Sequence, residues 1–400
     1  MTAEKEYLLY LISCFLGGNE PKGREVNMKE LYRLAKINDV CAVLAYESKL
    51  ISDDFPSDDE IESVLNQHIG MALKAYEEKK LVLERLKGIL NSLELEYLFV
   101  KGAVIKELYP VKQFRTSGDF DVIIRDDAFQ PLVERLKSKA LQSELKITDF
   151  DFTHYAVYFR INGCLIELHR DADLKNDYFG DIFEVAKKVG KYEYQLGLYD
   201  HLIYCFLHLV KHLKHRGAGI RMLMDLDVII RSIENFDENK FYSMAEKAGK
   251  LNTARVVLSY CSYYLKTPVR DIADIEHNPE LCEKLSVALI DGGSFGYEKE
   301  NLGIYHYNRT NGGKAVNSAS RLKTLLGYIF PSTDYIREYR EYSMRHSFLI
   351  PLAYAARIKD GLFKRKELSL KTLKQISNIT EEDIKNKKLL EELDFDKQED

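Results

Sequence analysis

The sequence predicts an α+β protein in which a small mixed β-sheet lies between two helical regions. Apolar residues recur at helical spacing before residue 95 and after residue 196, whereas short aromatic and β-branched runs cluster between them. A chain of 400 residues is also too long for one minimal core. We therefore predict an N-terminal helical segment (1–95), a sheet-containing core (96–195) and a helical C-terminal domain (196–400).

The N-terminal segment is predicted to end in one long helix. Pro56-Ser57 is typical of a helix start, with Ser57 as the N-cap and Glu60 three residues later as its capping-box partner. Apolar residues then follow at helical spacing as far as Leu93. Because this helix runs directly into the first strand of the core, we expect it to brace the sheet.

The core is predicted to open with a strand, a glycine turn and a helix. Tyr97 to Val100 is a short apolar run, Lys101-Gly102 forms the turn, and a helical pattern continues from Ala103 to Tyr109. Free backbone N–H groups at such a helix start favour a phosphate.

Two aspartates mark the next strand. In the apolar run that ends at Ile124, Asp119 and Asp121 share one face because side chains alternate along a strand. A solvated strand end often carries such a pair, so the spacing alone is weak. After this strand, Ala128 to Leu141 is predicted to form one amphipathic helix that returns across the sheet.

A third carboxylate lies on a later strand. His154–Ile161 and Cys164–His169 are predicted to pair through a hairpin turn at Asn162-Gly163. Glu167 falls inside the apolar alternation of the second strand, on the same face as His169. Asp171 and Asp173 follow in a charged loop and are weaker candidates for the third acid, and His169 is interpreted as a structural partner of Glu167.

These residue types fit phosphorus chemistry. Carboxylates on adjacent strands can hold Mg²⁺, and two such ions roughly 3.5–4 Å apart can stabilise the attacking and leaving oxygens of an in-line displacement. Phosphoryl and nucleotidyl transfer need mainly positioning and charge neutralisation. Lys101 and Arg115 are candidates for the cations that contact the phosphates.

The order Lys-Gly turn, Arg115, Ser-Gly-Asp-Phe-Asp-Val-Ile-Ile and Ile-Glu-Leu-His resembles the polymerase-β-like nucleotidyltransferase superfamily. More closely, it resembles a bacterial group called nucleotidyltransferase family proteins. The resemblance implies transfer of a nucleoside monophosphate from a triphosphate such as ATP to an acceptor hydroxyl, with two Mg²⁺ ions and release of pyrophosphate. It places metal binding on Asp119, Asp121 and Glu167. It places contact with the nucleotide triphosphate on Gly102. Together with Gly102, we predict that Lys101, Arg115 and Ser117 bind the nucleotide.

One departure from that pattern leaves alternatives open. Many superfamily members carry Gly-Gly or Gly-Ser at the turn, whereas Ala103 follows Gly102 here. A catalytically silent nucleotide-binding regulator is therefore a second hypothesis, and a helical interaction scaffold with a vestigial sheet is a third.

A second group of polar residues lies in the helical C-terminal domain. His208, His212 and His215 fall at i, i+4 and i+7, one heptad after His201, and Asp225 follows on the next helical pattern. This face is predicted to lie on the acceptor side. Metal binding by the histidines and plain packing of the helix are the alternatives.

Composition limits the partners and the location. The net charge of −5 and a pI near 6.1 argue against general DNA binding. The six cysteines lack C-x-x-C spacing, and we find neither a signal pattern nor an apolar run long enough to span a membrane. We expect a cytoplasmic protein whose acceptor, a small molecule, a tRNA or a protein, the sequence leaves undecided.

Overall fold

A computed structural model gives the fold over most of the chain. The residues that it describes are 1–51, 59–153, 156–170, 178–215, 218–269, 285–291, 293, 302–311, 315–333, 335–336, 347–363 and 366–381. Over these ranges the protein is a mixed α+β structure with one sheet and many helices, which confirms the predicted fold class.

The helices and strands alternate unevenly along the chain. The helices are α1 (Ala3–Gly17), α2 (Met28–Ile37), α3 (Cys41–Leu50), α4 (Asp59–Ser92), α5 (Gly102–Ile105), α6 (Asp126–Leu136), α7 (Lys139–Glu144), α8 (Ile182–Val185), α9 (Leu198–His215), α10 (Ile220–Ser232), α11 (Glu238–Lys247), α12 (Leu251–Tyr260), α13 (Leu302–Asn311), α14 (Ser318–Ile329), α15 (Ile350–Phe363) and α16 (Lys366–Asn378). The strands are β1 (Tyr97–Phe99), β2 (Asp119–Ile124), β3 (Thr148–Phe152), β4 (Ala156–Ile161), β5 (Cys164–His169), β6 (Lys187–Lys188) and β7 (Glu193–Gln195).

The seven described strands form one sheet in the order β3-β4-β5-β2-β1-β7-β6. β2 lies at its centre, antiparallel to β1 and parallel to β5. β4 and β5 form the predicted hairpin, and Asn162 and Gly163 both have positive φ, as a tight primed turn requires. The predicted strand start at His154 lies outside the described residues.

The long helix α4 packs against this sheet. Its apolar residues Val82, Leu86 and Leu90 belong to the same buried cluster as Phe120 and Val122 of β2. The predicted bracing of the sheet by this helix is therefore present. The predicted N-cap, Ser57, lies outside the described residues.

Two helix predictions need correction. The turn helix α5 ends at Ile105 and passes into a 3₁₀ turn, Lys106–Leu108, instead of continuing as one α-helix. The predicted helix 128–141 is two helices, α6 and α7, because the Ser138 hydroxyl accepts a hydrogen bond from the N–H of Leu141 and so caps a new helix. Strands β3, β6 and β7 were not predicted, and two of them are only two or three residues long.

The chain divides into two compact units. One comprises 1–211 with 219–294, and the other comprises 212–218 with 295–400. The first unit contains the sheet and α1 to α8, so the N-terminal helices and the sheet form one body. The predicted boundaries at residues 95 and 195 stay a prediction. Over the described residues, every helix is too short or too polar to cross a lipid bilayer.

One buried acid in the N-terminal helices makes stability sensitive to pH. Glu47 on α3 is 1% exposed, and its Oε2 lacks a hydrogen-bond partner within the described part of the chain. Burial raises the pKa of this carboxyl to about 7. A raised pKa in the folded state means that folding is most favoured when Glu47 is protonated, and that this stability is lost as pH rises from about 4.5 through 7.

We predict that Glu47→Gln is more stable than wild type at pH 8, by on the order of 1–3 kcal/mol, because glutamine avoids the buried charge. The difference should shrink toward zero as pH falls to 5. Denaturant unfolding between pH 5 and 8.5 measures it, with the exposed Glu77→Gln as the matched control. A difference that is independent of pH would contradict the assignment.

Candidate active site

The pairing of β2 with β5 places two of the three predicted acids, Asp121 and Glu167, opposite each other. In this parallel register Asp121 lies opposite Glu167, and Asp119 lies opposite Leu165. His169, two residues after Glu167, lies on the same face because side chains alternate. One face of the sheet therefore carries three carboxylates and an imidazole.

Asp121 is the most strongly engaged of these acids. Its Oδ1 is 2.8 Å from Lys101 Nζ and 3.0 Å from His169 Nε2, and its side chain is only 10% exposed. Burial alone would raise the pKa of Asp121, but Lys101 and His169 outweigh burial and hold the pKa well below its usual range. Asp121 is therefore a charged carboxylate in a largely dry setting.

Asp119 and Glu167 behave differently. Burial and the neighbouring Asp121 charge raise the pKa of both carboxyl groups. Burial is the larger cause, and repulsion by Asp121 adds to it, while Lys101 offsets the two effects only in part. A bound cation would relieve that repulsion.

The donor atoms are close enough to share an ion. One ligand atom each from Asp121, Glu167 and His169 lies within 4.8 Å of the others. Carboxylate oxygens suit hard divalent cations, whereas an imidazole suits transition metals better. His169 Nε2 is nearer to Asp121, at 3.0 Å, than to Glu167, at 3.5 Å. The structure thus brings two predicted metal ligands, Asp121 and Glu167, into a cluster with His169 that fits a divalent metal, and this group of three does not include Asp119.

The Lys101-Gly102 turn holds an unusual backbone conformation. Lys101 has φ 54° and ψ −133°, a region that side-chain-bearing residues rarely adopt. Its N–H donates a hydrogen bond to His201 Nε2 at 3.1 Å, and its C=O accepts from Val104 and Ile105 at the start of α5. These contacts position the turn so that the Lys101 side chain reaches Asp121.

His201 can accept this hydrogen bond because it is neutral. It lies on α9, is 3% exposed, and burial lowers its pKa to about 4. The accepting nitrogen is Nε2, so the ring proton is on Nδ1. Among the histidines predicted to share one face of this helix, His201 contacts the Lys101 turn.

Arg115 is held by a buried pair with α10. Its Nε and Nη2 contact the two oxygens of Asp225 at 3.0 and 2.6 Å, and Tyr109 donates to Asp225 Oδ1 at 2.7 Å. Such a bidentate pair fixes the guanidinium plane. Asp225, predicted on the acceptor side, therefore supports Arg115 directly.

Two further cations lie around the segment that precedes β2. Arg221 Nη1 donates to the Thr116 carbonyl and hydroxyl, both at 2.8 Å, and Arg221 also pairs with Asp39 at 3.4 Å. The Lys79 ammonium, from α4, donates to the Ser117 hydroxyl at 3.1 Å. The four site cations thus come from α4, α10, the Lys101 turn and the loop before β2.

The other predicted candidates are placed as follows. His208 and His212 are half-buried on α9, and the side chain of His215 lies outside the described set. Asp171 and Asp173, the weaker candidates for the third acid, also fall outside it. The helical setting predicted for Asp225 is confirmed by α10.

The sequence was compared with the profiles of known protein families. A family profile described as "Uncharacterised nucleotidyltransferase" matches residues 24–266, which is more than half of the chain. The chain belongs to this nucleotidyltransferase family. The search of curated proteins found no match.

The family assignment confirms the predicted resemblance to nucleotidyltransferase family proteins and makes the protein a transferase of nucleotidyl groups. The matched segment includes β2 and β5, which carry the acids, and α9 and α10, which carry His201 and Asp225. The nucleotidyltransferase match thus spans every contact described above for the site.

Sequence reasoning missed Lys79 and the contact of His201. Lys79 stands seven residues after Ala72 and seven before Leu86, both of which are buried on the inner face of α4. A lysine on an otherwise apolar stripe is the signal that was available. The sequence carries no local signal for the contact between His201 and Lys101, because this contact depends on how α9 packs against the turn.

Arg115 lies so close to Gly102 that a side chain at residue 102 should be unfavourable. A Cβ added to Gly102 would lie 2.7 Å from Arg115 Nη1, and the bidentate pair with Asp225 prevents the guanidinium from moving freely. We predict that Gly102→Ala destabilises the protein by about 1–3 kcal/mol.

The matched control is Gly88→Ala on α4, where a new Cβ meets nothing within 4 Å. This exposed helical site should gain up to about 1 kcal/mol from the better helix propensity of alanine. Denaturant unfolding of both variants measures the contrast. Equal stabilisation of the two would show that Arg115 is not fixed against Gly102.

Proposed function

We propose that this nucleotidyltransferase moves a nucleoside monophosphate from a triphosphate to an acceptor hydroxyl and releases pyrophosphate, with Mg²⁺ held by Asp119, Asp121 and Glu167. The observation that carries the proposal is the position of Asp121 opposite Glu167 on adjacent parallel strands, beside His169. The family assignment supports the same chemistry.

The repulsion among the three acids indicates the charge of the ion that they would bind. Glu167 and Asp119 repel Asp121 electrostatically, so the cluster gains most from a cation with two charges. Bound Mg²⁺ would supply charge neutralisation for the triphosphate and acidify the attacking hydroxyl. His169 Nε2 lies 3.0 Å from Asp121 Oδ1 and would orient this carboxylate, as residues that contact a metal ligand commonly do.

The Lys101 turn and Arg115 shape the donor side. Lys101 keeps Asp121 charged, and Gly102 lets the Arg115 guanidinium approach the start of α5. His201 and Asp225 hold these two groups from α9 and α10. The acceptor hydroxyl would then approach from the side of α9 and α10, and the acceptor class stays open among a small molecule, a tRNA and a protein.

The direct test is isothermal titration of the four ribonucleoside triphosphates, each with and without Mg²⁺. We expect at least one triphosphate to bind in a Mg²⁺-dependent manner, and Asp119→Asn to weaken that binding about tenfold or more. Asp119→Asn is the cleaner variant because it keeps the Lys101–Asp121 ion pair. The exposed Asp127→Asn is the matched control.

The double variant Asp119→Asn, Asp121→Asn should abolish the metal dependence. Thermal unfolding must accompany it, because loss of the Asp121 charge leaves Lys101 unpaired. Failure of all four triphosphates to bind the folded wild-type protein would overturn the proposal. Binding without turnover would instead favour the silent regulator suggested by Ala103.

A further inference from the structure

Lys79 enters the site from a helix outside the motif-bearing segment. It lies on α4, half-buried, and its ammonium donates to Ser117 Oγ at 3.1 Å, two residues before Asp119. Its electrostatic neighbours are Cys164, Asp119, Arg115 and Arg221, so it faces both the acids and the arginines of the site.

The other three site cations are already paired within the protein. Lys101 contacts Asp121, Arg115 contacts Asp225, and Arg221 contacts Asp39. Over the part of the chain that the structure describes, Lys79 makes no ion pair with a carboxylate, and its hydrogen bond goes to a neutral hydroxyl.

This arrangement is costly unless Lys79 has a ligand. Burial lowers the pKa of the Lys79 ammonium, which shows that the folded protein disfavours its charge. A lysine with a purely packing role would extend its ammonium into water, and the next residue on the helix, Lys80, is exposed. The half-buried ammonium of Lys79 instead remains beside an acid cluster.

The charge balance at the site indicates the ligand. Three ion pairs are neutral in themselves, and a divalent cation on Asp119 and Glu167 would offset those two acids. Lys79 then remains as a positive charge that the protein does not balance. A polyphosphate supplies negative charge and hydrogen-bond acceptors at the same place.

We propose that Lys79, positioned by Ser117, is a phosphate-binding residue that contacts the polyphosphate chain of the donor. The inference rests on the proposed function, since it assigns a residue to the donor side of the same site. The contact is electrostatic and forms no covalent bond. Ser117 accepts a hydrogen bond from Lys79 and keeps its own hydroxyl proton to donate to a phosphate oxygen.

The experiment titrates nucleoside triphosphate, nucleoside monophosphate and pyrophosphate, each with Mg²⁺, into four proteins. These are wild type, Lys79→Gln, Lys79→Arg and the adjacent exposed control Lys80→Gln. We expect Lys79→Gln to weaken triphosphate and pyrophosphate binding about tenfold or more, because a charge-assisted hydrogen bond is lost.

Monophosphate binding should change less than about twofold in Lys79→Gln, since the lost contact is to the chain beyond it. Lys79→Arg should recover most of the affinity, and Lys80→Gln should match wild type. Thermal unfolding of each variant separates a folding defect from a binding defect. A purely structural lysine would not make the loss depend on the number of phosphates.

The outcomes separate the two proposals. Wild-type triphosphate affinity in folded Lys79→Gln overturns the role of Lys79 and leaves nucleotidyl transfer standing. An equal loss for monophosphate and triphosphate also overturns it. Failure of wild type to bind triphosphate and pyrophosphate overturns both proposals together.

Discussion

The parallel pairing of β2 with β5 is the constraint on which the whole site depends. It sets Asp121 opposite Glu167 and brings His169 within 3.0 Å of Asp121. A slip of one residue would turn the acids of one strand to the other face and separate the cluster. The hairpin turn at Asn162-Gly163 fixes β5 against β4, and α4 packs on the sheet, so local turn chemistry and core packing maintain the register together.

The helical part of the first unit fixes the cations in the same way that the sheet fixes the acids. His201 holds the strained Lys101 turn, and Asp225 holds Arg115 against Gly102. His201 and Asp225 are buried, so removal of the partner of either would leave an unsatisfied polar group or charge, which is costly in a dry setting. The consequence is a preorganised group of charged side chains, ordered before a ligand binds, which the proposed function uses as the donor side.

Sequence patterns predicted the parts that depend on local periodicity. The acids fell on one face because alternation along a strand is local, and the hairpin followed from Asn162-Gly163. The partners of Lys101 and Arg115 could not be predicted, since His201 and Asp225 are about a hundred residues away from them in the chain. The short strands β6 and β7 carry too few residues to show a period. The break between α6 and α7 was readable from Ser138 as a cap but was hidden by the continuous apolar pattern.

Nucleotidyl transfer is tested most directly by following a labelled phosphorus of the nucleoside triphosphate into the products. The purified protein is incubated with a cell lysate and with the triphosphate that binds, labelled at either the α- or the γ-phosphorus. Nucleotidyl transfer predicts that the α label appears in a product and the γ label in pyrophosphate, and that Asp119→Asn abolishes both. Appearance of the γ label in the product would show phosphoryl transfer instead and would contradict the central claim.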